Sequence, residues 1–199
     1  MKIEKLDLNQ NITLYKLKYD WLISKNNILE KVIENCIPNN KTPLGNTYEI
    51  VVKCQEFNEI RKIGIDICKS LTDLIDNDYV DTSFIYLQTN NTKHSTLKSY
   101  HTHSYTFDND RPILNDWTYC FYLQMPKNLK DNEGKIAFKD KNNNVVYYLP
   151  EEGDFLIFDA NLQHAPEATN DAECDRITIV GTTSFNINEK IKSSNKNLI

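Results

Sequence analysis

The chain is short of several features that would mark a protein class. No apolar run approaches the roughly 20 residues that a membrane-spanning helix needs. The opening Met1-Lys2-Ile3-Glu4-Lys5 has no apolar stretch of the kind a secretory signal carries, so a cytoplasmic location is expected. Cysteine is sparse and scattered: Cys36, Cys54, Cys68, Cys120 and Cys174 are odd in number and form no CxxC. That pattern speaks against a zinc-thiolate site and for reduced thiols. Basic residues are in deficit, 23 Lys and Arg against 28 Asp and Glu, for a net charge of −5. A broad basic face for nucleic acid is therefore disfavoured. No internal repeat is visible. Histidine is scarcest in a way that matters, with four in 199 residues.

What is present describes an ordinary globular chain, 40% hydrophobic and 26% charged. Its length suits one domain with a sizeable core. The pattern divides it into an N-terminal support region (1–79), a strand-rich core (80–188) and a polar tail (189–199). Ile3 to Leu17 reads as short strands around a turn at Asn9-Gln10-Asn11. Trp21 to Ile37 has near-helical spacing and stops at Pro38-Asn39-Asn40. Thr47 to Val52 is a short strand. Glu56 to Ile75 is the best helix, with Phe57, Ile60, Ile63, Ile67, Cys68, Leu71 and Leu74 at a period near 3.6.

From Val80 the period becomes two. Strands are expected at Phe84–Leu87, Ser99–Tyr105, Trp117–Gln124, Lys135–Lys139, Val145–Leu149, Gly153–Phe158 and Arg176–Phe185. Asp108 to Pro112 reads as a loop, and Lys190 to Ile199 as a frayed tail. Helices first and many short strands after give an α+β fold, a jelly-roll core with N-terminal helices packed on one sheet.

The histidines carry the chemistry. Alternate residues of a strand share a face, so His101 and His103 can aim two imidazoles at one point. Alone, an HxH pair is as readily two solvated side chains. His164 follows the apolar strand Phe155-Leu156-Ile157-Phe158 and a turn, which puts it at a strand edge able to complete a three-nitrogen face for a divalent metal. His94 sits in a polar stretch and reads as a loop residue. Arg176 and Thr178 share a face with Val180, Thr182 and Ser184. A buried arginine needs an anion, and its fork matches a carboxylate. The simpler partner for it is Asp175, Glu173 or Asp154. Tyr86 and Tyr122 are candidates to reach an organic acid, although tyrosines on strands usually serve packing. Asp154 reads as a turn former.

These residues resemble a known family. Thr118 to Leu123, Gly134 to Phe138, Leu149 to Phe158, Leu162-Gln163-His164-Ala165-Pro166 and Asp175 to Ile179, with His101-Thr102-His103, are similar to the double-stranded β-helix of 2-oxoglutarate- and iron(II)-dependent oxygenases. The likeness covers the second half of the chain and is greatest to the prolyl 4-hydroxylase-like branch of bacteria and bacteriophages that has an HxH pair. It implies a dioxygenase that hydroxylates a protein side chain or small molecule. It also implies Fe(II) held by His101, His103 and His164, and 2-oxoglutarate held by Arg176 with Thr178. In most members a carboxylate stands where this chain has His103. Asp108 or Asp110 is the nearest substitute. Two rivals remain: a non-enzymatic jelly-roll structural or assembly protein of phage type with a vestigial metal site, and a three-His dioxygenase that does not use 2-oxoglutarate. Arg176-Ile177-Thr178 speaks against the latter. A homodimer is compatible with any of these readings.

Overall fold

The structure, a computed structural model, describes residues 2–19, 25–34, 47–50, 54–72, 78–88, 100–108, 111–131, 133–167, 169, 172–188 and 190. Its elements run β1 (Glu4–Asn9), β2 (Ile12–Lys18), α1 (Lys25–Glu34), β3 (Thr47–Ile50), α2 (Gln55–Leu71), β4 (Tyr79–Gln88), β5 (Tyr105–Asp108), β6 (Arg111–Leu114), β7 (Trp117–Gln124), β8 (Ile136–Lys139), β9 (Val145–Tyr148), β10 (Asp154–Asp159), β11 (Gln163–Pro166) and β12 (Arg176–Phe185). Among the described residues no helix is long and apolar enough to cross a membrane.

Seven strands form the major sheet in the order β1-β2-β10-β7-β12-β4-β3, and three form a minor sheet in the order β11-β8-β9. The central strands β7, β10 and β12 read as near-continuous apolar or β-branched runs because both of their faces are covered. All ten residues of β12 are buried. Alternation along these strands separates two cores. Tyr119, Phe121, Leu123, Phe155, Ile157, Ile177 and Ile179 face the helices and pack with Phe57, Ile60, Ile67 and Cys68 of α2. Cys120, Tyr122, Leu156, Phe158 and Val180 face the other way and pack with Ile136 and Phe138 of the minor sheet. The second core is the interior between the two sheets. Phe121 and Phe155 stack on the helical side at 4.5 Å between centroids. Burial of each such ring stabilises by roughly 1.5–3 kcal/mol.

Helix α2 packs because its apolar residues recur on one face, and Gly64 lets it approach closely. A Cβ on Gly64 would lie 2.7 Å from the Tyr119 ring, and one on Gly181 of β12 would lie 2.0 Å from the same ring. Tyr119 therefore fills the space left by two glycines, one on each side of it. The Cys54 thiol accepts the Phe57 N–H at the helix start. Thr72 closes the end by donating its N–H and Oγ1–H to the Lys69 carbonyl at 3.2 and 2.8 Å. The helix thus stops at Leu71, short of the expected Ile75; residues 73–77 lie outside the described set, as do the ends of the Trp21–Ile37 helix and Val51-Val52.

Three local expectations are corrected. Asp108 to Pro112 is not a loop throughout: Tyr105–Asp108 pairs with Arg111–Leu114 as the β5-β6 hairpin, because alternation of Tyr105, Phe107, Pro112 and Leu114 gives it one apolar face. Ser99 lies outside the described residues, and residues 100–104 are no continuous strand: among them only His101 forms a bridge, and regular pairing begins at Tyr105. Lys190, expected to open a frayed tail, donates to Asp116 Oδ2 at 2.7 Å, to the Leu114 carbonyl at 2.8 Å and to Ser184 Oγ at 2.8 Å. The rest of the tail, 191–199, lies outside the described residues, as do Asp110 and His94. Cys54, Cys68, Cys120 and Cys174 are free thiols.

Candidate metal and anion site

His164 sits on β11, a strand that the sequence pattern did not reveal. Four residues, Gln163–Pro166, are too few for a period to show, and the strand exists because it pairs with β8, His164 opposite Phe138. On the other side His164 bridges His101: each backbone N–H donates to the other's carbonyl at 3.0 Å. The His103 N–H donates to the Ala160 carbonyl at 2.9 Å, and Asn115 Nδ2 donates to the His103 carbonyl at 2.6 Å. The extended backbone of 101–103 is thus held by the β10-β11 turn and by Asn115 rather than by a sheet ladder. It still places both imidazoles on one side, as the two-residue spacing requires.

The three imidazoles converge. Ring centroids lie 5.1 Å apart for His101 and His103, 4.4 Å for His101 and His164, and 5.1 Å for His103 and His164. One ring nitrogen from each falls within 4.8 Å of the others, and among the described residues no carboxylate or thiol joins them. His164 is only 4% exposed. Its ring lies 4.8 Å from that of Phe158 and 6.3 Å from that of Phe138, both of the interior core. Nδ1 of His164 lies 2.9 Å from the Leu162 carbonyl. As a carbonyl only accepts, this contact assigns the proton to Nδ1 and leaves the Nε2 lone pair open. Burial pushes the His103 imidazole down to about 4, with the neighbouring His101 adding to the effect. Burial, then His101 and His103, lowers His164 well below its ordinary value. Both are neutral at neutral pH, the form that binds metals. The donor set suits a divalent transition ion.

Arg176 opens β12 and is 2% exposed. Its Nη1 donates to the Gly134 carbonyl at 3.2 Å, and its Nε is buried without a partner. None of the three carboxylates considered for it makes an ion pair with it. Asp154 is held by Lys16 at 3.1 Å and Lys18 at 3.3 Å, and accepts the Glu151 N–H at 2.9 Å, which shapes the turn as expected. Glu173 accepts the Lys127 N–H, and the carbonyl of Asp175 accepts from Gln124. Thr178 lies two residues along on the same face and is 4% exposed. The register places Tyr122 of β7 opposite it on one side and Tyr86 of β4 on the other, so the three form one row across the interior. Burial holds the Tyr122 phenol well above its ordinary value, with Cys120 adding to the rise and Arg176 opposing it. Tyr122 therefore keeps its proton and can donate. Burial pushes the Cys120 thiol up to about 12 against the pull of Arg176.

Sequence reasoning missed the supports of this site: the Leu162 carbonyl, Asn115, and the β5-β6 hairpin next to His103. The hairpin leaves Tyr105 60% and Phe107 71% exposed. Only the alternation of Tyr105, Phe107, Pro112 and Leu114 signalled it. A polar groove of about 660 Å³ lies against the β10-β11 turn, lined in part by Tyr15, Trp117, Lys139, Asn161 and Leu162.

Solved structures share this architecture. A viral collagen prolyl hydroxylase from Paramecium bursaria Chlorella virus-1, in its 2-oxoglutarate complex, superposes with a TM-score of 0.53 at 12% identity, over 85% of this chain and 94% of that one. HygX from Streptomyces hygroscopicus, with nickel, 2-oxoglutarate and hygromycin B bound, gives 0.59 at 9% identity over 86% and 82%. A Trichoplax adhaerens prolyl hydroxylase in complex with a hypoxia inducible factor peptide fragment gives 0.55 at 15% identity over 90% and 86%. The chain has the fold of the 2-oxoglutarate- and iron(II)-dependent oxygenases. That is the double-stranded β-helix expected from its second half. No family model matches the sequence, nor does any curated protein. At these identities the oxygenase likeness concerns the fold, and the roles of the site residues rest on this chain's own geometry.

Proposed function

We propose that this protein is an Fe(II)- and 2-oxoglutarate-dependent dioxygenase that hydroxylates a protein side chain or a small molecule. One observation carries the reading. Among the described residues Arg176 is a buried cation with an unpartnered Nε and no carboxylate, on an interior face shared with Thr178, in a barrel where the imidazoles of His101, His103 and His164 converge. A buried charge without a counterion is costly, so the arrangement is suited to an anionic ligand.

In this reading His101, His103 and His164 hold the metal, His164 through Nε2. The Leu162 carbonyl orients that ring by accepting its Nδ1 proton, as outer partners of metal-binding histidines do. Arg176 holds the distal carboxylate of 2-oxoglutarate, and Thr178, Tyr122 and Tyr86 flank it with hydroxyl groups. Phe138 and Phe158 exclude water around His164, which strengthens every polar contact inside. Iron(II) with 2-oxoglutarate and oxygen supplies the oxidising power, releasing succinate and carbon dioxide as a C–H bond is hydroxylated. No side chain of the site need act as general acid or base. The solved structures with this fold include one with a bound peptide and one with bound hygromycin B, and the substrate class of this chain is left at that breadth.

The test is Arg176→Ala. Removing one partner of a buried charge pair costs about 2–5 kcal/mol. Calorimetric affinity for 2-oxoglutarate is expected to fall at least about thirtyfold while metal binding is retained. Unchanged 2-oxoglutarate affinity in the folded variant would contradict the assignment.

A further inference from the structure

Arg176 brings a buried positive charge to the interior that also gathers the imidazoles. His101, His103 and His164 cluster without a carboxylate. Imidazoles bind metals as neutral ligands, so a divalent ion held by three of them keeps its full charge. Arg176 adds another positive charge, and among the described residues it hydrogen-bonds only the neutral Gly134 carbonyl. Asp154, a buried carboxylate at the start of β10, is already taken by Lys16 and Lys18.

Burying this much positive charge without an anion is unfavourable, and a dianion that meets both cations removes the penalty. We infer that this chain holds its metal ion jointly with the 2-oxo dianion, binding the ion weakly alone and tightly in its presence, and that His103 sets this dependence. The inference rests on the function proposed above. In that reading the 2-oxo acid end would be held with the ion at His101, His103 and His164, and the far carboxylate would be held by Arg176. By linkage, the metal tightens the dianion by the same factor as the dianion tightens the metal. His103 is the position that can accept a charged replacement. His164 is enclosed by Phe138 and Phe158, and His101 is locked in its backbone bridge. The ring contacts of His103 are with the other two histidines, and it is half-buried.

The experiment titrates manganese(II) into the protein by calorimetry under anaerobic conditions, with and without saturating 2-oxoglutarate, for the wild type and for His103→Asp. His103→Glu serves as a second variant, and circular dichroism checks that each is folded. In the wild type, 2-oxoglutarate is expected to tighten manganese binding at least about tenfold. A folded carboxylate variant is expected to bind manganese more tightly on its own and to gain less from 2-oxoglutarate. Equal wild-type affinity with and without 2-oxoglutarate overturns the coupling but leaves the metal site standing. Undiminished coupling in a folded carboxylate variant overturns the role of His103. No manganese binding under either condition overturns the proposed site itself.

Discussion

His164 links most of the local physics. Its backbone pairs with both His101 and Phe138, its ring is packed among aromatic rings, and its Nδ1 proton is committed to the Leu162 carbonyl. Each of these constraints reduces the freedom of Nε2, and a donor fixed before binding loses little entropy on binding. Loss of an outer partner of a metal ligand costs about 10–100-fold in affinity, and loss of the ligand itself costs more. His164→Ala is therefore expected to lower metal affinity by more than about a hundredfold. Equilibrium dialysis against manganese(II) in the presence of 2-oxoglutarate measures it, and a change of less than a few-fold would remove His164 from the ligand set.

At the scale of elements, the helix-on-sheet packing depends on one ring between two glycines. Gly181→Ala would drive a methyl into Tyr119, and overpacking of this kind costs about 1–3 kcal/mol. Urea unfolding should show a loss near the top of that range. Shortening the ring in Gly181→Ala/Tyr119→Leu should recover part of it, because contacting sites are not additive. Full additivity would contradict the packing account. A second tie joins α2 to β4, where Arg61 Nε pairs with the buried carboxylate of Asp81, which also accepts from the Tyr119 hydroxyl at 3.2 Å. Burial raises the Asp81 carboxyl despite the opposing pull of Arg61. Removal of Arg61 leaves that charge less compensated, so Arg61→Ala should cost about 2 kcal/mol at neutral pH. A group whose folded value is raised favours the folded state in its protonated form. The defect should therefore shrink as pH falls toward the raised value, and a defect that grows on acidification would contradict this.

These elements also show what was legible. Strands β7, β10 and β12 were readable because burial on both faces writes a long apolar run into the sequence. Helix α2 was readable because it is amphipathic over four turns. Strand β11 was not, since four residues carry no period and its existence depends on pairing with β8. The hairpin was hidden by Asp108 and Pro112, both of which favour turns locally, while the pairing of Phe107 with Pro112 is tertiary information. The same division holds at the site. The spacing of His101 and His103, and of Arg176 and Thr178, survives folding as a shared face. His164 was expected to join the pair from its place after an apolar strand and a turn, whereas the absence of a carboxylate partner for Arg176 among the described residues emerges only when strands distant in sequence are brought together.

For the whole molecule, the two sheets and the helices divide the work. The helical face supplies most of the packed core. The face toward the minor sheet is given over, near Arg176, Thr178 and the triad, to polar groups that lower stability unless a ligand meets them. Such uncompensated groups are expected where a protein retains them for function. On the proposed function, the barrel is a scaffold whose interior a divalent ion and a dicarboxylate would complete. The most direct measurement is succinate production from 2-oxoglutarate by the purified protein with iron(II), ascorbate and oxygen, with and without metal chelation. Iron-dependent succinate formation that is abolished by chelation and lost in Arg176→Ala and His164→Ala is the expected result. An absence of succinate together with an absence of metal-dependent 2-oxoglutarate binding would contradict the proposal.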